Sequence, residues 1–160
     1  MQNFTLFKAF PNGGRVEIMN GFVIKSDYDD LLVIANFFAE QGHIVHIPTE
    51  VHFKNEKYQQ VFGKLMGTIY ERKCPDLIID GKFYEYESYM PPFNKKKISH
   101  MLSEGLKQSS RIIINNNSYA EDHFILKCIL NRINEDNFVY NIDEVWLFEG
   151  NEVRLLHKQQ

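Results

Sequence analysis

Three carboxylates crowd into one short stretch of this chain, CPDLIIDGKFYEYES over residues 74–88: Asp76, Glu85 and Glu87. Asp80-Gly81 between two β-prone runs is the signal for a two-residue type I′ hairpin turn. With those two residues as the loop, Ile79 pairs with Lys82, Ile78 with Phe83, Leu77 with Tyr84 and Asp76 with Glu85. Paired residues share a face and side chains alternate, so Asp76, Ile78, Phe83, Glu85 and Glu87 point one way. Leu77, Ile79, Tyr84 and Tyr86 point the other. A longer turn shifts this register and breaks the Asp76–Glu85 pair. Two charges about 5 Å apart repel by roughly 3 kcal/mol at an effective dielectric near 20, so a metal ion, a basic neighbour, a raised pKa or water must offset them. Hard divalent ions take carboxylate oxygens, and phosphodiester hydrolysis needs such an ion to activate water and neutralise charge. Acidic residues beside a hairpin are common, and spacing alone favours a solvated strand end. The apolar setting of Cys74, Pro75, Ile78 and Phe83, where unpaired carboxylates are costly, tilts the balance toward a site.

Other residues compete for chemical roles. Lys95-Lys96-Lys97 falls in the first turn of a predicted helix, where the helix dipole disfavours cations by a few tenths of a kcal/mol; an anionic partner would relieve this, and reaching water is the default for at least two of them. Lys97, His100, Glu104 and then Lys107 or Gln108 form a polar stripe at helical spacing, by default a solvated face. Its interest is that the helix directly follows the acidic strand and its polar edge could lean over the strand's end. His43 and His46 sit at an odd spacing on a predicted strand, which sends them to opposite faces and rules them out as joint ligands. His52, His123 and His157 have no partner in sequence, and Trp146 reads as sheet packing. Ser109-Ser110 lacks a nucleophile-elbow context, and Gly13-Gly14 is too sparse for a phosphate loop.

The elements that must position these residues read as follows. RVEIM-NG-FVIK predicts a hairpin around Asn20-Gly21. Ser26 with Asp29 has capping-box spacing and opens a helix over 27–41 that Gly42 can end. HIVHI (43–47) reads as a strand, and a short helix is expected around Tyr58–Met66. After the central hairpin, Asn94 can cap a helix over 95–109 with Ile98, Met101, Leu102 and Leu106 on one face. With strands 82–88 and 111–115 this helix forms a βαβ unit, which requires parallel strands. A helix over 120–132 carries Phe124, Ile125, Cys128 and Ile129 on one face, and a closing hairpin turns at Gly150-Asn151. The class is α/β, a three-layer-like mixed β-sheet flanked by helices.

A length of 160 residues, 44% hydrophobic and 24% charged, fits a single domain over 1–160 with a sizeable core. A net charge of −3 gives no global pull toward nucleic acid, so such binding must come from a local basic patch. Cys74 and Cys128 form no CxxC pair, which argues for reduced thiols. No apolar run is long enough to span a bilayer and MQNFTLFKAF has no export signature, so the expectation is a cytoplasmic protein without a membrane partner.

The order of helix, HIVHIP strand, CPDLIIDGKFYEYES, helix and KQSSRIIINN strand resembles the C-terminal nuclease domains of contact-dependent growth inhibition toxins, which look like members of the PD-(D/E)xK phosphodiesterase superfamily. The likeness covers residues 27–148, a nuclease-like core between an N-terminal hairpin (1–26) and a C-terminal strand (149–160). The resemblance implies a nuclease using magnesium, manganese or zinc, with Asp76 and Glu85 holding the ion and Glu87 assisting as ligand or base. DNA, tRNA or other RNA would be the substrate. The chain departs from the pattern at Glu87, where the superfamily has lysine; Lys107 with Gln108, or Lys97, is then the expected replacement cation. The chain also carries no delivery region of its own, so by itself it is not expected to be an exported toxin tip. The alternative is the same fold without chemistry, a module binding nucleic acid or protein in a mobile element or toxin system.

Overall fold

A computed structural model describes residues 3–92 and 94–159. Met1, Gln2 and Gln160, at the ends of the predicted N-terminal hairpin and C-terminal strand, lie outside the described residues, as does Phe93. The chain is mixed α/β and divides into two compact units, Met1–Tyr84 and Glu85–Gln160.

The first unit opens with an antiparallel pair, β1 (Phe4–Ala9) and β2 (Arg15–Met19). The hairpin therefore turns at Pro11-Asn12-Gly13 and not at Asn20-Gly21. The reason is edge occupancy: the second edge of β2 is filled by the parallel strand β3 (Ile44–Ile47). Phe22–Lys25 is left without a strand to join, and Val23 and Ile24 stay exposed. The helix between them, α1 (Tyr28–Glu40), buries Leu31, Ile34, Ala35, Phe38 and Ala39 against β2, β3 and β4 (Leu77–Ile79). Each such large apolar side chain contributes about 1.5–3 kcal/mol on burial.

The predicted cap at Ser26 does not form; the N-cap is Asp27, without a side-chain bond. Lys25 carbonyl already accepts from Tyr28 N–H at 3.1 Å, so a turn leads the chain into the helix. At the other end Gly42, with φ +98, donates to Ala39 carbonyl at 2.9 Å as predicted. The loop between β1 and β2 locks onto this end. Asn12 Nδ2 donates to Glu40 carbonyl at 2.7 Å, and a Cβ on Gly14 would stand 1.7 Å from Ala39 carbonyl oxygen. Gly14 is thus a close-approach position, whereas Gly13, with φ +90° and open space around it, serves the turn.

A short helix, α2 (Glu56–Phe62), is capped by Asn55, whose side chain accepts from Lys57 N–H at 2.9 Å, and tightens into a 3₁₀ turn at Gly63–Leu65. Tyr58, Phe62 and Leu65 build a small core that Phe83 joins. β4 pairs antiparallel with β3 and with the first half of β5 (Lys82–Glu87) in the predicted register: Leu77 with Tyr84, Ile78 with Phe83, Ile79 with Lys82. Asp80 and Gly81 have φ of 50° and 80°, the double positive that a type I′ turn demands.

In the second unit, the rest of β5 pairs in parallel with β6 (Arg111–Asn115): Glu85 with Ile112, Tyr86 with Ile113, Glu87 with Ile114. The connecting helix, α3 (Lys97–Leu106), is shorter at both ends than predicted. Its Ile98, Met101, Leu102 and Leu106 enter one core with Ile125, Cys128 and Ile129 of α4 (Asp122–Ile133). β6 continues in parallel to β7 (Glu144–Glu149), which turns at Gly150-Asn151 into antiparallel β8 (Glu152–Lys158), as predicted.

Candidate functional site

The acidic strand has the predicted alternation. Along β5, Phe83, Glu85 and Glu87 are half-buried, while Tyr84 and Tyr86 are 5% and 4% exposed. The tyrosines hold the strand's rotation. In the first unit the Tyr84 ring lies 6.1 Å from that of Phe38. In the second, the Tyr86 hydroxyl accepts from Asn115 Nδ2 at 2.8 Å and its ring meets Phe148 edge-on. Glu85 and Glu87 consequently share a face of one strand. α3 reaches Glu87 at its single glycine: a Cβ on Gly105 would lie 3.1 Å from Glu87 Cγ and 3.1 Å from Ile112 Cγ2.

Asp76 belongs to the first unit, one residue before β4; the β4–β5 ladder runs to Leu77–Tyr84, so the predicted Asp76–Glu85 pair is not part of it. Asp76 has a basic neighbour that the sequence did not indicate. Lys25 Nζ lies 3.6 Å from Asp76 Oδ1 and 3.8 Å from Glu50 Oε1, and the Asp76 side chain is only 10% exposed. The only sequence signal was generic, that a carboxylate in apolar surroundings needs a cation; reading FVIK as a strand hid which one. Close by, burial pushes the Cys74 thiol up, with the charge of Glu50 adding to the effect and Lys25 opposing it.

The basic residues named as replacements stand elsewhere. Lys107 Nζ is 3.0 Å from Glu104 Oε1 on the exposed surface of α3, and this hydrogen bond holds the Glu104 carboxyl below its ordinary value. Gln108 follows it in the turn after the helix. Lys97 Nζ sits 4.9 Å above the Tyr89 ring, and Lys95 Nζ 5.3 Å above that of Phe124. All three consecutive lysines are exposed, as expected, and two of them also lie over aromatic faces, which attract cations through the ring quadrupole.

The histidines keep separate partners, as their spacing required. His43 Nδ1 is 2.5 Å from Asp80 Oδ2, and His46 Nε2 is 2.8 Å from Glu17 Oε1. Trp146 donates Nε1–H to Glu144 Oε1 at 2.8 Å, a packing role. Ser109 accepts from Arg111 N–H at 3.1 Å and Ser110 donates to Asp143 at 2.7 Å, so both are tied into the start of β6.

Among the described residues, no three His, Cys, Asp or Glu side chains gather as an ion-holding group. Magnesium, however, asks a protein for only one or two carboxylates and keeps water in the rest of its shell. Glu85 and Glu87 are donors of that type. Compared with protein-family models, curated proteins and solved structures, the chain matches none of them. No helix among the described residues is long and apolar enough to cross a membrane.

Proposed function

We propose that the chain is a divalent-metal-dependent nuclease of PD-(D/E)xK type, related to bacterial growth-inhibition toxins. The observation that carries the reading is the pair of half-buried glutamates, Glu85 and Glu87, on one face of a strand entered through the Asp80-Gly81 turn. The order of elements supports it: α1, β3, the β4–β5 hairpin, α3 and β6 follow the helix, strand, hairpin, helix and strand of the resemblance, with β5 and β6 parallel. Glu85 would hold magnesium, manganese or zinc, with Glu87 as further ligand or base. Such an ion supplies an activated water and neutralises phosphate charge. Lys107, the cation expected in place of the superfamily's lysine, is engaged by Glu104.

The test is cleavage of RNA, single-stranded DNA and duplex DNA with each of the three metals, with and without chelator. Cleavage abolished by chelator and by Glu85→Ala, in a variant that keeps its fold, is the expected result. Glu87→Lys restores the superfamily's usual residue: a gain marks a weakened natural enzyme, and a loss gives Glu87 a working role. Inertness of wild type and both variants on every substrate refutes the nuclease and leaves the nuclease-like binding module in its place.

A further inference from the structure

A cavity of about 380 Å³ opens in the first unit between the α2–3₁₀ segment and the tip of the β4–β5 hairpin. Its floor is apolar, made by Ile78 and the half-buried Phe83, a cross-strand pair. Its walls are polar: Gln59, Gln60 and Lys64 line it, with Gln60 Oε1 already accepting from Asn3 Nδ2 at 3.1 Å. Two glycines let these polar tips in. A Cβ on Gly63 would stand 2.8 Å from Gln59 Nε2, and one on Gly81 would stand 3.3 Å from Lys64 Nζ. The Gly81 position is doubly constrained, since its φ of +80° already disfavours a side chain. Lys64 forms no ion pair among the described residues, so its charge has no partner in this unit to neutralise it.

We propose that this cavity binds one nucleotide unit, with the base on the Phe83–Ile78 floor, its edge against Gln59, and the phosphate on Lys64. Every base has a π-face that stacks on an aromatic ring. A carboxamide offers a donor and an acceptor side by side, the match for a base edge. A lysine supplies the point charge for a phosphate. A purely apolar ligand leaves the Lys64 ammonium without a counter-charge and the Gln59 carboxamide unused, whereas a free phosphate leaves the floor unused. The choice of nucleotide rests on the nuclease reading for its biological setting, but the binding itself needs neither metal nor cleavage.

The experiment is titration of the intact chain with the four 5′-ribonucleotides, the matching nucleosides and inorganic phosphate, in chelator, followed by amide shifts. The expected result is shifts centred on Gly63, Lys64 and Gly81, with nucleotide bound more tightly than nucleoside or phosphate. Lys64→Ala, at an exposed position, should weaken the nucleotide by about tenfold and the nucleoside little. Gln59→Ala should weaken both. Inorganic phosphate binding as tightly as any nucleotide, or nucleotide shifts that ignore both substitutions, would overturn the proposal. So would the absence of binding. Binding without cleavage would leave the cavity standing and defeat the nuclease, and cleavage without binding would do the reverse.

Discussion

Asp80 anchors the turn that sets the register of Glu85 and Glu87, and replacing it separates two contributions. Its Oδ1 accepts from Ile44 N–H at 2.9 Å and its Oδ2 lies 2.5 Å from His43 Nδ1, tying the hairpin tip to β3. Its backbone sits at φ +50°. Asn tolerates that conformation, whereas Ala there costs roughly 1–2 kcal/mol. The His43 and Asp80 side chains are 41% and 47% exposed, so solvent screening holds their pairing to about 0.2–1 kcal/mol. Asp80→Asn should therefore lower unfolding free energy by about 1 kcal/mol at pH 7 and Asp80→Ala by about 2.

The pH dependence gives the sharper test. Burial pushes the Asp80 carboxyl up, but hydrogen bonds from His43 and Ile44 and the charges of His43 and Lys82 outweigh it, leaving it below the ordinary aspartate value. A folded pKa below the unfolded one contributes stability that is complete above about pH 4 and lost as pH falls through the folded value. The deficit of Asp80→Asn should thus be largest at neutral pH and shrink toward zero in acid. Urea melts of wild type and both variants across that range measure it. An Asn variant as damaged as the Ala variant, or a deficit that does not shrink in acid, would refute the reasoning.

Other expectations follow from single contacts. Arg111→Met removes the Arg111 Nε contact at 3.0 Å from Glu144, a 6%-exposed carboxylate that keeps the Trp146 Nε1–H bond; a loss of about 1.5–3 kcal/mol is expected by urea denaturation, the range for a hydrogen bond to a charged group. Gly14→Ala drives a methyl to 1.7 Å from a backbone oxygen and should prevent stable folding, as read by circular dichroism, while Gly13→Ala should fold with a loss of about 1–2 kcal/mol from its positive φ alone. Gly105→Ala should cost about 1 kcal/mol despite its better helix propensity, because its Cβ meets both Glu87 and buried Ile112. Both thiols are pushed up by burial, so thiol titration at neutral pH should be slow in the native protein and complete in denaturant.

Much of the fold was legible because local chemistry dictated it. Asp80-Gly81 and Gly150-Asn151 could each adopt two consecutive positive φ angles, and this fixed both hairpins and the alternation that puts Glu85 and Glu87 on one face. The apolar periodicity of 98–106 and 124–129 named two buried helix faces, and the run RIIIN named a buried strand. Asn20-Gly21 carried the same local signal and misled. A turn makes a hairpin only if the following segment finds a free edge, and β3 had taken the one beside β2. No residue near position 20 encodes that competition. The cation beside Asp76 has the same character: Lys25 and Asp76 lie far apart in sequence, and only the folding of the first unit brings them within 3.6 Å. The polar stripe on α3 kept its default meaning of an exposed face, with Lys107 reaching Glu104 and Lys97 a tyrosine ring. Turn chemistry and periodicity act over a few residues and are written in them; edge occupancy and charge pairing depend on which distant segments arrive, and the tertiary structure alone decides them.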